Sequence, residues 1–157
     1  MMLRLGLAVA LLILIADQVS KYFLLDLMQQ NPQGIVITPF FNLVLVWNTG
    51  VSFGLFQEDS TTRSWTLIGL AVAVLVWLLV WLWRAQGRLV AAALGLIIGG
   101  AIGNIIDRYR FGAVFDFLDF HVFGWHWPAF NVADSAIVVG VCLLLLDGFR
   151  PRSQGNG

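Results

Sequence analysis

The sequence predicts an all-α membrane protein with four transmembrane helices, both termini cytoplasmic, and a small β-rich segment on the outer, periplasmic face. Three observations predict it. Hydrophobic residues make up 59% of the 157 and charged residues only 11%, less than half the usual quarter. A chain this short has too much surface to hide that apolar area from water. Apolar runs near the roughly 20 residues that cross a bilayer recur along the chain. The arginines divide unevenly between the two sides those runs define. A water-soluble monomer and a disordered chain are excluded, and the length suits a single domain over 1–157.

The first span is expected over about 5–25, apolar except for Asp17, Gln18, Ser20 and Lys21. Arg4 followed by twelve residues free of charge also looks like a signal peptide. However, Leu14-Ile15-Ala16 lacks the small residue needed three positions before a cut, and apolar character resumes at Tyr22, so a retained helix is expected. Ile35–Thr38 and Phe41–Trp47 are β-rich runs split by Pro39, which suggests a small sheet at the membrane surface within about 35–64. Phe53, Leu55 and Phe56 extend its apolar character toward lipid headgroups or a greasy ligand.

The second span, 65–83, is uncharged and bracketed by Arg63 and Arg84; the third, 89–106, is also uncharged. Gly95, Gly99 and Gly103 recur every four residues in it, the small-xxx-small pattern of closely packed helices. Residues 107–132 read as a second outer loop. The fourth span covers about 133–148, with Asp134 and Ser135 at its start, and the tail Ser153–Gly157 reads as disordered. Arg4, Arg84, Arg88, Arg150 and Arg152 share one side, against Arg63, Arg108 and Arg110 on the other. That bias puts both termini in the cytoplasm.

Charges cancel at nine against nine, and no basic tract exists, so nucleic-acid binding has no electrostatic footprint. The single cysteine, Cys142, excludes a disulfide framework and a thiolate metal site. His121 and His126 lack the HExxH spacing of a zinc site, so no metal and no cofactor is expected.

The informative residues are those that do not belong in hydrocarbon. At about 1.5 Å per residue, Asp17 lies roughly 20 Å beyond Arg4, Asn104 roughly 24 Å beyond Arg88, and Asp134 roughly 20 Å from Asp147. Three helices therefore deliver polar groups to one level in the outer third of the membrane. An intramembrane charge costs about 2.5–3.5 kcal/mol on insertion scales and calls for a partner or a use. Asp17 and Lys21 have the i,i+4 spacing of a self-shielding ion pair. Arg108, four residues after Asn104, either snorkels to the interface or serves the site. Asp134 has the position of a helix N-terminal cap. Asp116, between two phenylalanines, is a loop acid with Asp119 as its competitor. Two carboxylates meeting beside an apolar wall share one proton. The ionised member can take a proton from water while the other polarises a carbonyl, which hydrolyses an amide without metal or nucleophilic side chain.

Four blocks, in this order, resemble a known family: Asp17-Gln-Val-Ser-Lys21; Trp47-Asn-Thr-Gly-Val-Ser-Phe-Gly54; Gly99-Gly-Ala-Ile-Gly-Asn-Ile-Ile-Asp-Arg108 continuing to Val114-Phe-Asp116-Phe; and Phe130-Asn-Val-Ala-Asp134-Ser. The chain is similar to lipoprotein signal peptidases, the bacterial signal peptidase II of aspartic type, from Asp17 to about Leu146. The resemblance implies an inner-membrane aspartic endopeptidase that cuts diacylglyceryl-modified prolipoproteins just before the lipidated cysteine, with its site near the outer leaflet. It implies Asp116 and Asp134 as the catalytic dyad. It implies Asn48, Asn104, Arg108, Asn131, Asp17 and Lys21 as residues that line or brace the site, with Ala133 beside it. It also implies contact with membrane lipid, action as a monomer, and inhibition by cyclic peptide antibiotics. Two other classes stay open on the residues alone. A proton- or ion-coupled transporter would relay charge through Asp17, Lys21, Asp107 and Asp134, but calls for polar groups at all depths and for repeats. A structural subunit packed through its glycine face would be indifferent to its aspartates.

Overall fold

The computed structural model describes residues 1–50 and 64–149 in full and the helical backbone of 60–63. The elements follow as α1 (Met2–Gln30), β1 (Ile35–Thr38), β2 (Phe41–Asn48), α2 (Ser60–Arg84), α3 (Arg88–Phe111), β3 (Val114–Val122), β4 (Trp125–His126) and α4 (Val132–Gly148). The expectations for Phe53, Gly54, Leu55, Phe56, Arg150, Arg152 and the tail lie outside the described residues.

Leucine- and alanine-rich sequence favours helix throughout α1. The helix ends where Asn31 turns its side-chain amide back to the Leu27 carbonyl at 2.9 Å and Pro32 follows. A three-residue connection, Ala85–Gly87, folds α3 back along α2, and Arg84 in the last turn of α2 complements the helix dipole. Gly112, left-handed at φ 73°, closes α3 through its N–H to the Arg108 carbonyl.

Among the helices α3 is the central one, and its glycines are the reason. A Cβ on Gly95 would strike the Gly6 carbonyl of α1, and one on Gly99 the Ala10 carbonyl. Gly100, on the next face, abuts the Ala133 carbonyl of α4. The stripe therefore brings backbones to a distance no side chain permits. Ala10, Leu78, Leu82, Ala91, Leu94, Ile97 and Ile98 form the core where α1, α2 and α3 meet. Among the described residues, three helices are long and apolar enough to cross a membrane: Met2–Gln30, Ser64–Arg84 and Arg88–Phe111. α4 has 17 residues, about 26 Å at the helical rise.

The sheet departs from the sequence-based expectation. Its order is β1-β2-β3-β4, antiparallel throughout, so half of it comes from the stretch 107–132 that reads as a loop. Among the described residues, the β-rich segment expected over 35–64 stops at Asn48, and the backbone is helical again from Ser60. Val46 lies opposite Asp116, Trp47 opposite Phe115 and Asn48 opposite Val114. Phe115 and Phe117 pack with Met28 of α1 and with Leu24, Ile35 and Leu43. Because successive side chains of a strand point to opposite faces, anchoring both phenylalanines there leaves Asp116 on the face away from that cluster.

Candidate active site

Asp116 is almost wholly buried, at 1% exposure. Its Oδ1 accepts from the Asn131 side-chain amide at 2.7 Å and its Oδ2 from the Asn48 amide at 3.0 Å. Asn48 reaches it from the end of β2, the neighbouring strand. Burial raises the Asp116 pKa most, the bonds from Asn48 and Asn131 and the charge of Lys21 oppose it, and nearby Asp134 raises it further; the net is about 6 against an ordinary 3.8.

Asp134 stands in the first turn of α4 as half of a capping box. Its backbone N–H donates to Asn131 Oδ1 at 2.9 Å, and its Oδ2 accepts the Asn131 backbone N–H at 3.2 Å. Its Oδ1 accepts from the Asn104 amide of α3 at 2.8 Å. The capping expectation therefore holds, and the cap still leaves a carboxylate facing α3. Asp116 and Asp134 both bond to Asn131, so strand and helix bring the two acids to one residue.

Asn104 is oriented by its own acceptor. Its Oδ1 receives Lys21 Nζ at 3.3 Å and Asn131 Nδ2 at 3.2 Å, which leaves Nδ2 for Asp134. Lys21 forms the anticipated i,i+4 pair with Asp17 at 2.9 Å and a second pair with Asp107, also at 2.9 Å. Asp17 in turn accepts the Ala133 backbone N–H at 3.0 Å. The common depth read from residue spacing is thus a physical meeting of α1, α3 and α4.

Arg108 is half-buried beside this network. Its Nη1 donates to the Asn104 carbonyl at 3.3 Å, its Nε is buried with no partner, and it forms no ion pair among the described residues. A cavity of about 350 Å³ opens beside it, lined by Thr49, Ser64, Trp65, Ile68 and Gly112 among others.

Asp119, the competing acid, is engaged elsewhere. His126 Nδ1 meets its two oxygens at 2.9 and 3.0 Å, and Asn42 donates at 3.0 Å. Burial pushes its pKa up, but the bonds from His126 and Asn42 and the charge on both histidines outweigh it and hold the group below the usual range. His121 and His126 are cross-strand neighbours with stacked rings 4.8 Å apart, not loop residues.

Two members of the network, Asp107 and Gln18, stand outside the site residues expected from the sequence. Asp107 is 2% exposed and accepts the Phe115 backbone N–H at 3.1 Å and the Gln18 amide at 3.3 Å. Gln18 also reaches Asp17 at 3.1 Å. A signal for Asp107 did exist: it lies three residues after Asn104, hence on the same helix face.

A family model described as signal peptidase (SPase) II matches residues 9–150. The chain is 50% identical to a lipoprotein signal peptidase of Methylorubrum extorquens (strain PA1) over 164 residues, covering 98% of this chain and 95% of the relative. It is 50% identical to that of Nitrobacter hamburgensis over 152 residues, with 94% and 93% covered. A solved bacterial membrane enzyme, obtained by the in meso method, superposes with a TM-score of 0.79 at 27% identity, covering 94% of each chain.

Proposed function

The chain belongs to the signal peptidase II family and is a protease of lipoprotein processing; from that premise we propose that Asp116 and Asp134 are its catalytic dyad and activate water against the bond before a diacylglyceryl-modified cysteine. The observation that carries the reading is the meeting of both acids at Asn131. Below the Asp116 pKa of about 6 the pair holds one proton, and the raised value favours Asp116 as its site. Asp134, whose oxygens accept two N–H donors, takes a proton from water. The hydroxide adds to the scissile carbonyl carbon as the Asp116 proton passes to the carbonyl oxygen. Collapse of the resulting diol returns a proton to Asp116, and the Asp134 proton leaves on the departing amine as the C–N bond breaks.

The other polar groups fit supporting roles. Asn48, Asn104 and Asn131 hold the carboxylates with uncharged donors, which leaves the net charge of the pair undisturbed. Arg108, with unused donors, is placed to meet a lipid phosphate or a substrate carbonyl. Asp17, Lys21 and Ala133 support the site from behind. Action as a monomer is part of the same reading.

The setting belongs to the same reading. α4 is the fourth span, both termini are cytoplasmic, and the site lies near the outer leaflet of the inner membrane. There a lipidated substrate slides in laterally from the bilayer, in contact with membrane lipid. Cyclic peptide antibiotics that contact the dyad are expected to inhibit. Incubating purified protein with a diacylated and a non-lipidated precursor, read by product size, tests the substrate: cleavage of the diacylated form alone is expected, and equal cleavage of both overturns it.

A further inference from the structure

Each of the two acids is preceded by a residue whose backbone N–H is bound to a buried carboxylate. Phe115, before Asp116, donates to Asp107 at 3.1 Å; Ala133, before Asp134, donates to Asp17 at 3.0 Å. Asp107 and Asp17 are joined by a single ammonium, Lys21 Nζ, at 2.9 Å from each. β3 and α4 are close in sequence and already joined by the bridge between Leu118 and Phe130; the cation adds a second tie, to the backbone just upstream of both acids.

We propose that the Asp107–Lys21–Asp17 triad is a yoke that sets the separation of the two dyad carboxylates, with Asp107 the positioning residue for Asp116 and Asp17 for Asp134. The inference rests on the function proposed above. Three features support it. Lys21 has three donors, and Asp17, Asp107 and Asn104 take all three. The ammonium is thus saturated within the protein and has nothing left to offer a substrate. Its third bond, to Asn104 Oδ1, fixes the amide so that Nδ2 points at Asp134, which gives the yoke a second grip on the same acid. Phe115 is also held from the other side, its carbonyl accepting Asn131 Nδ2 at 3.3 Å, and β3 stays paired with β2, so releasing Asp107 shifts the backbone at Phe115 and Asp116 rather than the strand as a whole.

The physical consequence is specific. Coupling between two titrating groups depends on the distance between them, and rate depends steeply on the placement of the reacting groups. Loosening the yoke therefore changes how the pair shares its proton, whereas loss of a merely structural ion pair changes only stability. Asp107→Asn keeps an acceptor for Phe115 N–H but breaks the pair with Lys21. In full-length protein acting on a diacylated precursor, kcat is expected to fall ten- to a hundredfold with KM within twofold. The two limbs of the pH–rate profile are expected to move toward each other. Wild-type kcat and profile, or a lower kcat with an unmoved profile, overturns the yoke. Should Asp107→Asn fail to accumulate as folded protein, Lys21→Arg, which keeps the charge and displaces the donors, is read the same way. A wild-type protein that leaves the diacylated precursor intact overturns the function and the yoke together; an active wild type beside an unaltered variant overturns the yoke alone.

Discussion

Asn131 donates its side-chain amide to Asp116 at 2.7 Å while its own side-chain oxygen caps α4 by accepting the Asp134 N–H at 2.9 Å. One side chain both starts a helix and holds the acid on the neighbouring sheet, and the two duties separate by substitution. Serine is as good a cap as asparagine but is too short to reach Asp116. Asn131→Ser is expected to stay within about 1 kcal/mol of wild-type stability, whereas Asn131→Ala loses a further 0.5–2 kcal/mol or so with the cap. Both are expected to lose cleavage by about a hundredfold, of the order reported for removing one preorganised donor. Thermal midpoints alongside cleavage rates check the split.

Asp116→Asn and Asp134→Asn each remove one acid of the proposed dyad while keeping its shape, at the loss of one of the two acceptors it presents to its neighbours. Loss of at least about a thousandfold in rate is expected for each, since general acid–base groups contribute 10²–10⁴-fold singly and a pair acting as a unit is not additive. Membrane insertion should be unchanged. A gel-shift assay on lipidated precursor, with the variants quantified in the membrane fraction, makes the comparison; turnover at the wild-type rate by either would remove the dyad.

The raised Asp116 pKa has a signed consequence for stability. A carboxyl at about 6 in the fold and 3.8 when unfolded favours the fold below pH 4. That advantage is lost as pH rises through 6, at a cost of up to about 3 kcal/mol. Asp116→Asn lacks this dependence, so the melting temperature of the variant relative to wild type is expected to rise between pH 4 and pH 8. The alkaline limb of kcat/KM should fall with an apparent pKa near 6, because a pair that has lost its proton has no acid left for the carbonyl.

Gly103 faces Asp17, and an added Cβ would collide with the carboxylate, its Cγ at 3.1 Å. Gly69 on α2 has no atom within 4 Å of the same position. Gly103→Ala is expected to destabilise by about 1–3 kcal/mol, the cost of overpacking, and to lower activity through Asp17. Gly69→Ala should be neutral or stabilising by up to about 1 kcal/mol from helix propensity. Unfolding of both variants in one detergent provides the contrast.

Much of this was legible before any coordinates. Apolar run lengths locate the helices, the four-residue glycine spacing locates the tight α1–α3 contact, and residue counts along three helices place Asp17, Asn104 and Asp134 at one depth. β3 was not legible. In Val114–Val122 the polar residues Asp116 and Asp119 are three apart, so they fall on opposite faces and blur the two-residue alternation of a half-buried strand. The partner strand lies some 70 residues earlier, beyond the α2–α3 hairpin, and no local pattern announces so distant a ladder. Asp107 is visible in the sequence as a charge on the face of Asn104, but its bond to the Phe115 N–H is not, because next to Arg108 at a helix end it looks like an interfacial charge.

The position of Asp134 at the start of α4 carries a consequence for biosynthesis. On the dyad proposed above, the ribosome delivers Asp17, Asn48, Asn104 and Asp116 first, and none of them hydrolyses anything until α4 supplies the second acid. A half-made chain is thus latent, and its earlier spans can settle among other nascent membrane proteins without endangering them.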